Sequence, residues 1–290
     1  MKRLLVTGAS GFLGWHLCQR AQGDWQVYGI GRSRPVQAAG VTAIACDLTD
    51  GDAVRAVFAE VRPDAVIHAA AQANPNICQQ QPATAYAINV TASGVMAQLC
   101  AEAMIPFVFT STDLVFDGTK APYRETDPVA PVNRYGEQKV AAEKLILSLY
   151  PSAAVCRMPL MFGVSPGASS FIQPFAQILR SHQPLALFTD EFRTPVSGPT
   201  AAQGLLLAVE RAEGILHLGG AERISRYGFG QLMVEMLDLP GDTLTGCRQG
   251  DVPMPAPRPA DVSLDSSRAF SLGYQPPSLR DELNALRGLL

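Results

Sequence analysis

Lys2-Arg3-Leu4-Leu5-Val6-Thr7-Gly8-Ala9-Ser10-Gly11-Phe12-Leu13-Gly14 is the stretch on which the reading of the fold turns. Leu4-Leu5-Val6 is a short continuous apolar run, the pattern of a strand buried on both faces. Phe12 to Ala21 carries helical periodicity. Between them Gly8, Gly11 and Gly14 form GxxGxxG at the passage from strand to helix. Glycine is what a tight turn there requires, because the backbone must come close to its neighbours and the helix must press on the strand. The head of such a helix presents free N–H groups and a positive dipole end, a ready seat for phosphates. Gly8, Ser10, Gly11, Phe12, Leu13 and Gly14 are therefore expected to line a dinucleotide pyrophosphate.

Working outward, strand-like runs alternate with helical ones. Gln26 to Ile30, Thr42 to Ala45, Ala65 to His68, Phe107 to Thr110 and Ala153 to Arg157 read as strands. Helices are expected over Asp52 to Val61, Ala83 to Met104 (one long helix) and Glu137 to Leu149. Such alternation implies right-handed crossovers and a parallel sheet covered on both faces. The expected fold class is α/β, a Rossmann doubly wound parallel sheet with a smaller C-terminal substrate-binding lobe. Past about Pro159 the pattern loosens, with helices at Phe171 to Ser181, Thr200 to Arg211 and Tyr227 to Leu237. Val252 to Pro259 holds four prolines in eight residues and reads as a rigid connector. This divides the chain into a dinucleotide-binding part, residues 1–158, and residues 159–290, mainly the lobe but interleaved with the sheet.

Bulk properties narrow the function classes. The 290 residues are 47% hydrophobic and 17% charged, as in a folded protein with a large core. A net charge of −3 advertises no basic face for nucleic acid or an anionic membrane. The six cysteines are scattered without a CxxC pair, which favours reduced thiols over disulfides or zinc and a cytoplasmic setting. The apolar run after Lys2 and Arg3 is too short for a signal peptide, and no run approaches transmembrane length. No metal-ligand spacing occurs, and His16, His68, His182 and His217 do not cluster in sequence.

Strand ends carry the cofactor reading further. An acid at the end of the second strand grips the ribose hydroxyls of NAD, but here the strand runs into Gly31-Arg32-Ser33-Arg34. A guanidinium suits a 2′-phosphate, so NADP(H) is expected in preference to NAD(H), with NAD(H) not excluded. Asp47-Leu48, after the third strand, could accept from an adenine amino group and cover its ring; a helix cap is the alternative. Ala69-Ala70-Ala71, after the fourth strand, is small enough to let a cofactor lie against the backbone, or simply packs tightly.

Thr110-Ser111-Thr112-Asp113 ends the fifth strand, and Tyr135 and Lys139 stand four apart at the head of the next helix, on one face. An ammonium beside a phenol favours the phenolate, so Tyr135 is expected to have a lowered pKa and to serve as proton donor and acceptor. Thr112 can polarise a carbonyl that gains alkoxide character. Lys139 can also hold the nicotinamide ribose. Thr112, Tyr135 and Lys139 form the expected catalytic trio, with Tyr135 and Lys139 also touching the cofactor.

VTGASGFLG, VIHAAA, the helix with Ile88-Asn89-Val90, STDLVFDG and YRETDPVAPVNRYGEQKVAAE together resemble extended short-chain dehydrogenase/reductases, and most of all the dTDP-4-dehydrorhamnose reductase group. The resemblance runs from end to end, and STDLVFDG is its most specific part. It implies NADPH delivering hydride to the 4-keto carbon of a nucleotide-linked 6-deoxyhexulose, and a homodimer is compatible with it. It also implies diphosphate-binding arginines at Arg193, in Phe192-Arg193-Thr194-Pro195-Val196, and Arg258, in Arg258-Pro259-Ala260-Asp261-Val262. Leu114 stands where the rhamnose-pathway enzymes carry tyrosine, which leaves the sugar open. A same-fold epimerase or dehydratase, or a non-catalytic nucleotide-binding regulatory subunit like that of methionine adenosyltransferase, are the alternatives. Asp113, Asp117 and Glu125 are expected to cap loops, with contact to substrate or a divalent ion as the alternative, His68 to pack in the scaffold, and Asn89 to bond backbone near the site.

Overall fold

The computed structural model describes residues 1–290. Seven parallel strands form the central sheet: β1 (Lys2–Thr7), β2 (Trp25–Gly31), β3 (Thr42–Ala45), β4 (Ala65–His68), β5 (Phe107–Thr112), β6 (Ala154–Met158) and β7 (Gly214–His217), in the order β7-β6-β5-β4-β1-β2-β3. The order reverses between β1 and β4, where Thr7 pairs with His68. Ligands of such sheets lie outside the strand ends at this switch point.

The helices are α1 (Phe12–Ala21), α2 (Gly51–Val61), α3 (Ala92–Ala103), α4 (Arg134–Leu149), α5 (Ile172–Arg180), α6 (Gly198–Arg211) and α7 (Arg226–Leu237), with short helical segments between them. They cover both faces of the sheet, which is why β4 and β5 are buried at every position. On one face Leu4, Val6 and Ile67 pack with Leu13 and Leu17 of α1 and Leu205 of α6. On the other Leu5, Val66 and Phe107 pack with Met96 of α3 and Ile146 of α4. A third core, including Phe162, Ile172, Phe229, Met233 and Leu283, holds the C-terminal helices together. The chain returns to the sheet through α6 and β7. No helix is long and apolar enough to cross a membrane.

The single helix expected from Ala83 to Met104 is not one element. A helix over Pro82–Tyr86 passes through a π-helical turn, Ala87–Thr91, into α3. That turn contains Asn89, which is fully buried. Its amide accepts from Gln72 N (2.8 Å) and donates to Gln72 O (3.1 Å) and Gln138 Oε1 (2.8 Å). A polar network that is satisfied only in one backbone arrangement locally outweighs regular helical hydrogen bonding. A further short helix, Pro75–Gln80, was not anticipated; Asn74 caps it, accepting from Asn76 N and Ile77 N.

His68 ends β4 fully buried, its ring between Thr7 Oγ1 (2.7 Å) and Ser93 Oγ (3.0 Å). Burial, aided by Lys139, pulls its pKa down to about 3. His217 ends β7; burial and then Arg157 lower it to about 4. Both are neutral in the folded state and take up protons on unfolding from their ordinary 6.5. Their contribution to stability is present above pH 6.5 and is lost as pH falls toward 4 and 3. The urea midpoint is expected to fall steadily between pH 6.5 and 4; a midpoint flat across that window would contradict this account.

Candidate active site

Gly8 follows β1 with φ +69°, and a Cβ there would lie 2.8 Å from the Ala70 nitrogen beyond β4. Gly14, one turn into α1, would put a Cβ 2.1 Å from the Gly8 carbonyl oxygen. The two contacts seat α1 directly on the strand ends. Gly11 is the N-cap of α1, with no side-chain cap and no acid in the first turn, so its leading amides face outward. In front of them lies a cavity of about 260 Å³, walled by Gly8, Ser10, Gly11, Arg32, Asp47, Leu48, Ala69, Ala70 and Ala71. Phe12 faces the adjoining larger cleft, Gly14 makes the helix–strand contact, and the Leu13 side chain turns into the core. At Gly31 a Cβ would come 2.8 Å from Arg34 O, so the wall is open there because glycine occupies it. These residues fit a dinucleotide: bare amides for phosphates, small side chains for close approach, and two arginines at the rim.

Arg32 and Asp47 approach to 3.9 Å with both side chains about half exposed, a weak pair. Asp47 accepts from Thr49 N (3.0 Å) and Thr49 Oγ1 (2.8 Å), which holds its carboxyl below the usual range. The helix cap is instead Asp50, whose carboxylate accepts from Asp52 N and Ala53 N. Arg34 donates to Gly167 O (3.1 Å).

The larger cleft, about 580 Å³, carries Thr112, Tyr135, Arg193 and Arg258 on its walls. Thr112 closes β5; its hydroxyl donates to Asp113 Oδ1 and accepts from Leu114 N, both at 3.2 Å. Asn133 caps α4, accepting from Gly136 N (3.0 Å) while donating to Pro257 O (3.0 Å), which ties the helix to the proline-rich connector. This cap aims Tyr135 into the cleft and sets Lys139 one turn behind. Lys139 is fully buried, donates to Thr110 O (2.8 Å), and lies 4.4 Å from the Phe109 ring centre and 6.0 Å from that of Tyr135.

The expected softening of the phenol is not what the structure gives. Burial raises the Tyr135 pKa above its ordinary value, with Asp113 and Cys78 adding to the rise and the nearby Thr112 hydroxyl partly offsetting it. Burial also lowers Lys139 to about 7, against the attraction of Glu143 and Cys78. Desolvation of two neighbours together outweighs the attraction between them. Tyr135 is thus firmly protonated at neutral pH.

Asp113 does not cap its loop. It pairs with Arg193 at 2.7 Å, and Arg193 reaches Glu191 at 3.3 Å, all three buried. Asp113 is nonetheless pushed upward, chiefly by burial, and its Oδ2 has no partner. The charge of Arg193 is thus matched by two carboxylates, while its Nε has no hydrogen-bond partner. Arg258 donates to Ala256 O (2.9 Å) and Asn76 Oδ1 (3.1 Å). Asp117 does hold its loop, accepting from Thr119 and from Tyr123 Oη (2.6 Å), and Glu125 accepts from His217 N (3.0 Å). The cleft also contains Arg226, which the sequence reading missed; the available signal was a cation at the first position of a helix, where the dipole opposes it. No group of three His, Cys, Asp or Glu side chains lies close enough to hold a metal ion.

A family model described as the RmlD substrate binding domain matches residues 1–287. Methionine adenosyltransferase 2 subunit beta of Xenopus laevis is 32% identical over 284 residues, 94% of this chain and 83% of that protein. The probable low-salt glycan biosynthesis reductase Agl14 of Haloferax volcanii is 32% identical over 289 residues, 97% of this chain and 96% of its own length. A solved structure of a hypothetical dTDP-4-dehydrorhamnose reductase from Sulfolobus tokodaii matches with TM-score 0.82 and 31% identity, covering 93% of this chain and 94% of that one.

Replacing Arg193 by methionine leaves Asp113 and Glu191 buried without their cation. The expected loss is about 3–5 kcal/mol of unfolding free energy at pH 7 by urea denaturation, part of it restored by adding Asp113→Asn. A loss under about 1 kcal/mol would show that the pair is not formed in solution.

Proposed function

The chain belongs to the RmlD substrate binding domain family, and on that premise we propose that it uses NADPH to reduce a keto group on a nucleotide-linked deoxysugar. The observation that carries this reading is the meeting of Thr112 and Tyr135 in one cleft, with Lys139 behind them and the glycine-walled cavity next door. The dinucleotide, when bound, supplies the hydride. The rest is done by the chain. Tyr135, protonated at neutral pH, gives its proton to the substrate oxygen as that oxygen gains alkoxide character, and solvent later reprotonates it. An alkoxide is a far stronger base than a phenolate, so a raised phenol pKa still leaves this transfer favourable. Thr112 turns its hydroxyl from Asp113 to the same oxygen. Lys139, poised at about pH 7, steadies the phenolate that Tyr135 leaves behind.

NADP(H) is preferred in this reading because Arg32 and Arg34 rim the adenosine end and no acid stands at the end of β2, while Asp47 is held by Thr49. The relatedness to methionine adenosyltransferase 2 subunit beta supports a second reading, a nucleotide-binding subunit without turnover.

NADPH oxidation measured across a panel of nucleotide-linked 4-keto-6-deoxysugars tests the proposal. Turnover on at least one is expected, with Tyr135→Phe lowering kcat by about 10²–10⁴-fold while NADPH binding is kept. Turnover that survives Tyr135→Phe would remove the assigned role, and NADPH binding with no turnover on any sugar would favour the subunit reading. In the same assay kcat/KM for NADPH is expected to exceed that for NADH by about tenfold or more, and Arg32→Ala with Arg34→Ala to erase most of the difference. A clear NADH preference would overturn the cofactor assignment.

A further inference from the structure

Three guanidiniums, Arg193, Arg226 and Arg258, share the cleft with the carboxylates of Asp113 and Glu191, which leaves a surplus of positive charge. The three cations are not equivalent. Arg193 spends its charge on Asp113 and Glu191, although its Nε is also buried without a hydrogen-bond partner. Arg258 has a backbone carbonyl and Asn76 as partners. Arg226 lies over the rings of Phe171 (4.3 Å) and Phe175 (5.6 Å), and its Nη1 is buried without any hydrogen-bond partner. Stacking holds the plane of the fork but satisfies none of its in-plane donors.

Its position is also unfavourable for a cation in the absence of a ligand. Arg226 is the first residue of α7, at the positive end of the helix dipole. Its backbone is fixed there by a bond from its N–H to Glu191 O (2.9 Å), and Ser225 caps the helix by accepting from Gly228 N. Burial lowers its pKa to about 10; Arg193 and Arg258 add to this, and Glu191 opposes it. A buried guanidinium donor with no acceptor costs stability unless an anion meets it.

We propose that Arg226, rather than Arg193, is the side chain that grips the diphosphate of a nucleoside-diphosphate ligand in this cleft. This rests on reading the cleft as a nucleotide-sugar site. A diphosphate matches the surplus charge, offers the bidentate oxygens a guanidinium prefers, and gives Nη1 the acceptor it lacks. Arg193 instead holds Asp113 beside Thr112 and positions that strand end.

Calorimetric titration with dTDP, UDP and dTMP tests this without turnover. The wild-type chain is expected to bind at least one diphosphate about tenfold or more tightly than dTMP. Arg226→Gln is expected to weaken diphosphate binding by about 10- to 100-fold while keeping NADPH affinity, which serves as the check on folding. Arg226→Lys keeps the charge and loses the fork, so it should fall between the two; it also serves if the glutamine variant does not fold. Diphosphate affinity within twofold of wild type in a folded variant, or no diphosphate binding by the wild type, would overturn the proposal. A chain that binds dTDP through Arg226 but reduces no keto sugar would overturn the reductase reading and leave this one standing. Turnover with KM unchanged in Arg226→Gln would do the reverse.

Discussion

The contact on which the rest of the structure depends is between two glycines. Gly14 of α1 sits so close to the Gly8 carbonyl that any side chain would overlap it, and Gly8 in turn lies against the backbone of Ala70. The end of β1 and the head of α1, neighbours in sequence, thus meet the distant segment after β4 backbone to backbone at the point where the strand order reverses. The uncapped head of α1 is thereby aimed into the cavity at the strand ends. Widening this junction by one methyl group would push the helix off the strand and shift its free amides relative to that cavity.

Around that junction, burial governs the charges more than pairing does. Lys139 and Tyr135 lie on one helical face, yet each is driven toward its neutral form because both are cut off from water. The result is a protonated phenol in front of an amine whose hold on its proton is weakened by burial. The same cost explains the Asp113–Arg193–Glu191 cluster: a buried strand-end carboxylate needs a cation, and Arg193 supplies it. Ser111, Glu143 and Arg157 repeat the solution deeper down, with Arg157 donating to both carboxylate oxygens of Glu143.

What was legible in the sequence was periodic or local. Ala65–His68, buried at every position, and the helix Phe12–Ala21 emerge with the bounds their patterns suggest, since burial leaves a strong periodic signal; the edge strand Thr42–Ala45 also keeps its bounds although it is largely exposed. The glycine spacing marked the cavity, and the four-residue spacing of Tyr135 and Lys139 put both on one side of α4. What was not legible depended on partners distant in the chain. The π turn at Asn89 follows from bonds to Gln72 and Gln138, which no window around residue 89 contains. The pairing of Arg193 with Asp113 spans 80 positions, so no local window shows it. Arg226 carries no motif; only its place at a helix head, once the cleft is assembled, distinguishes it.

The most direct measurement is a crystal structure grown in saturating NADPH. The account predicts the pyrophosphate on the amides that open α1 and the nicotinamide ring beside Tyr135. A dinucleotide bound elsewhere, or the cavity between Gly8 and Ala70 left empty at saturation, would contradict it.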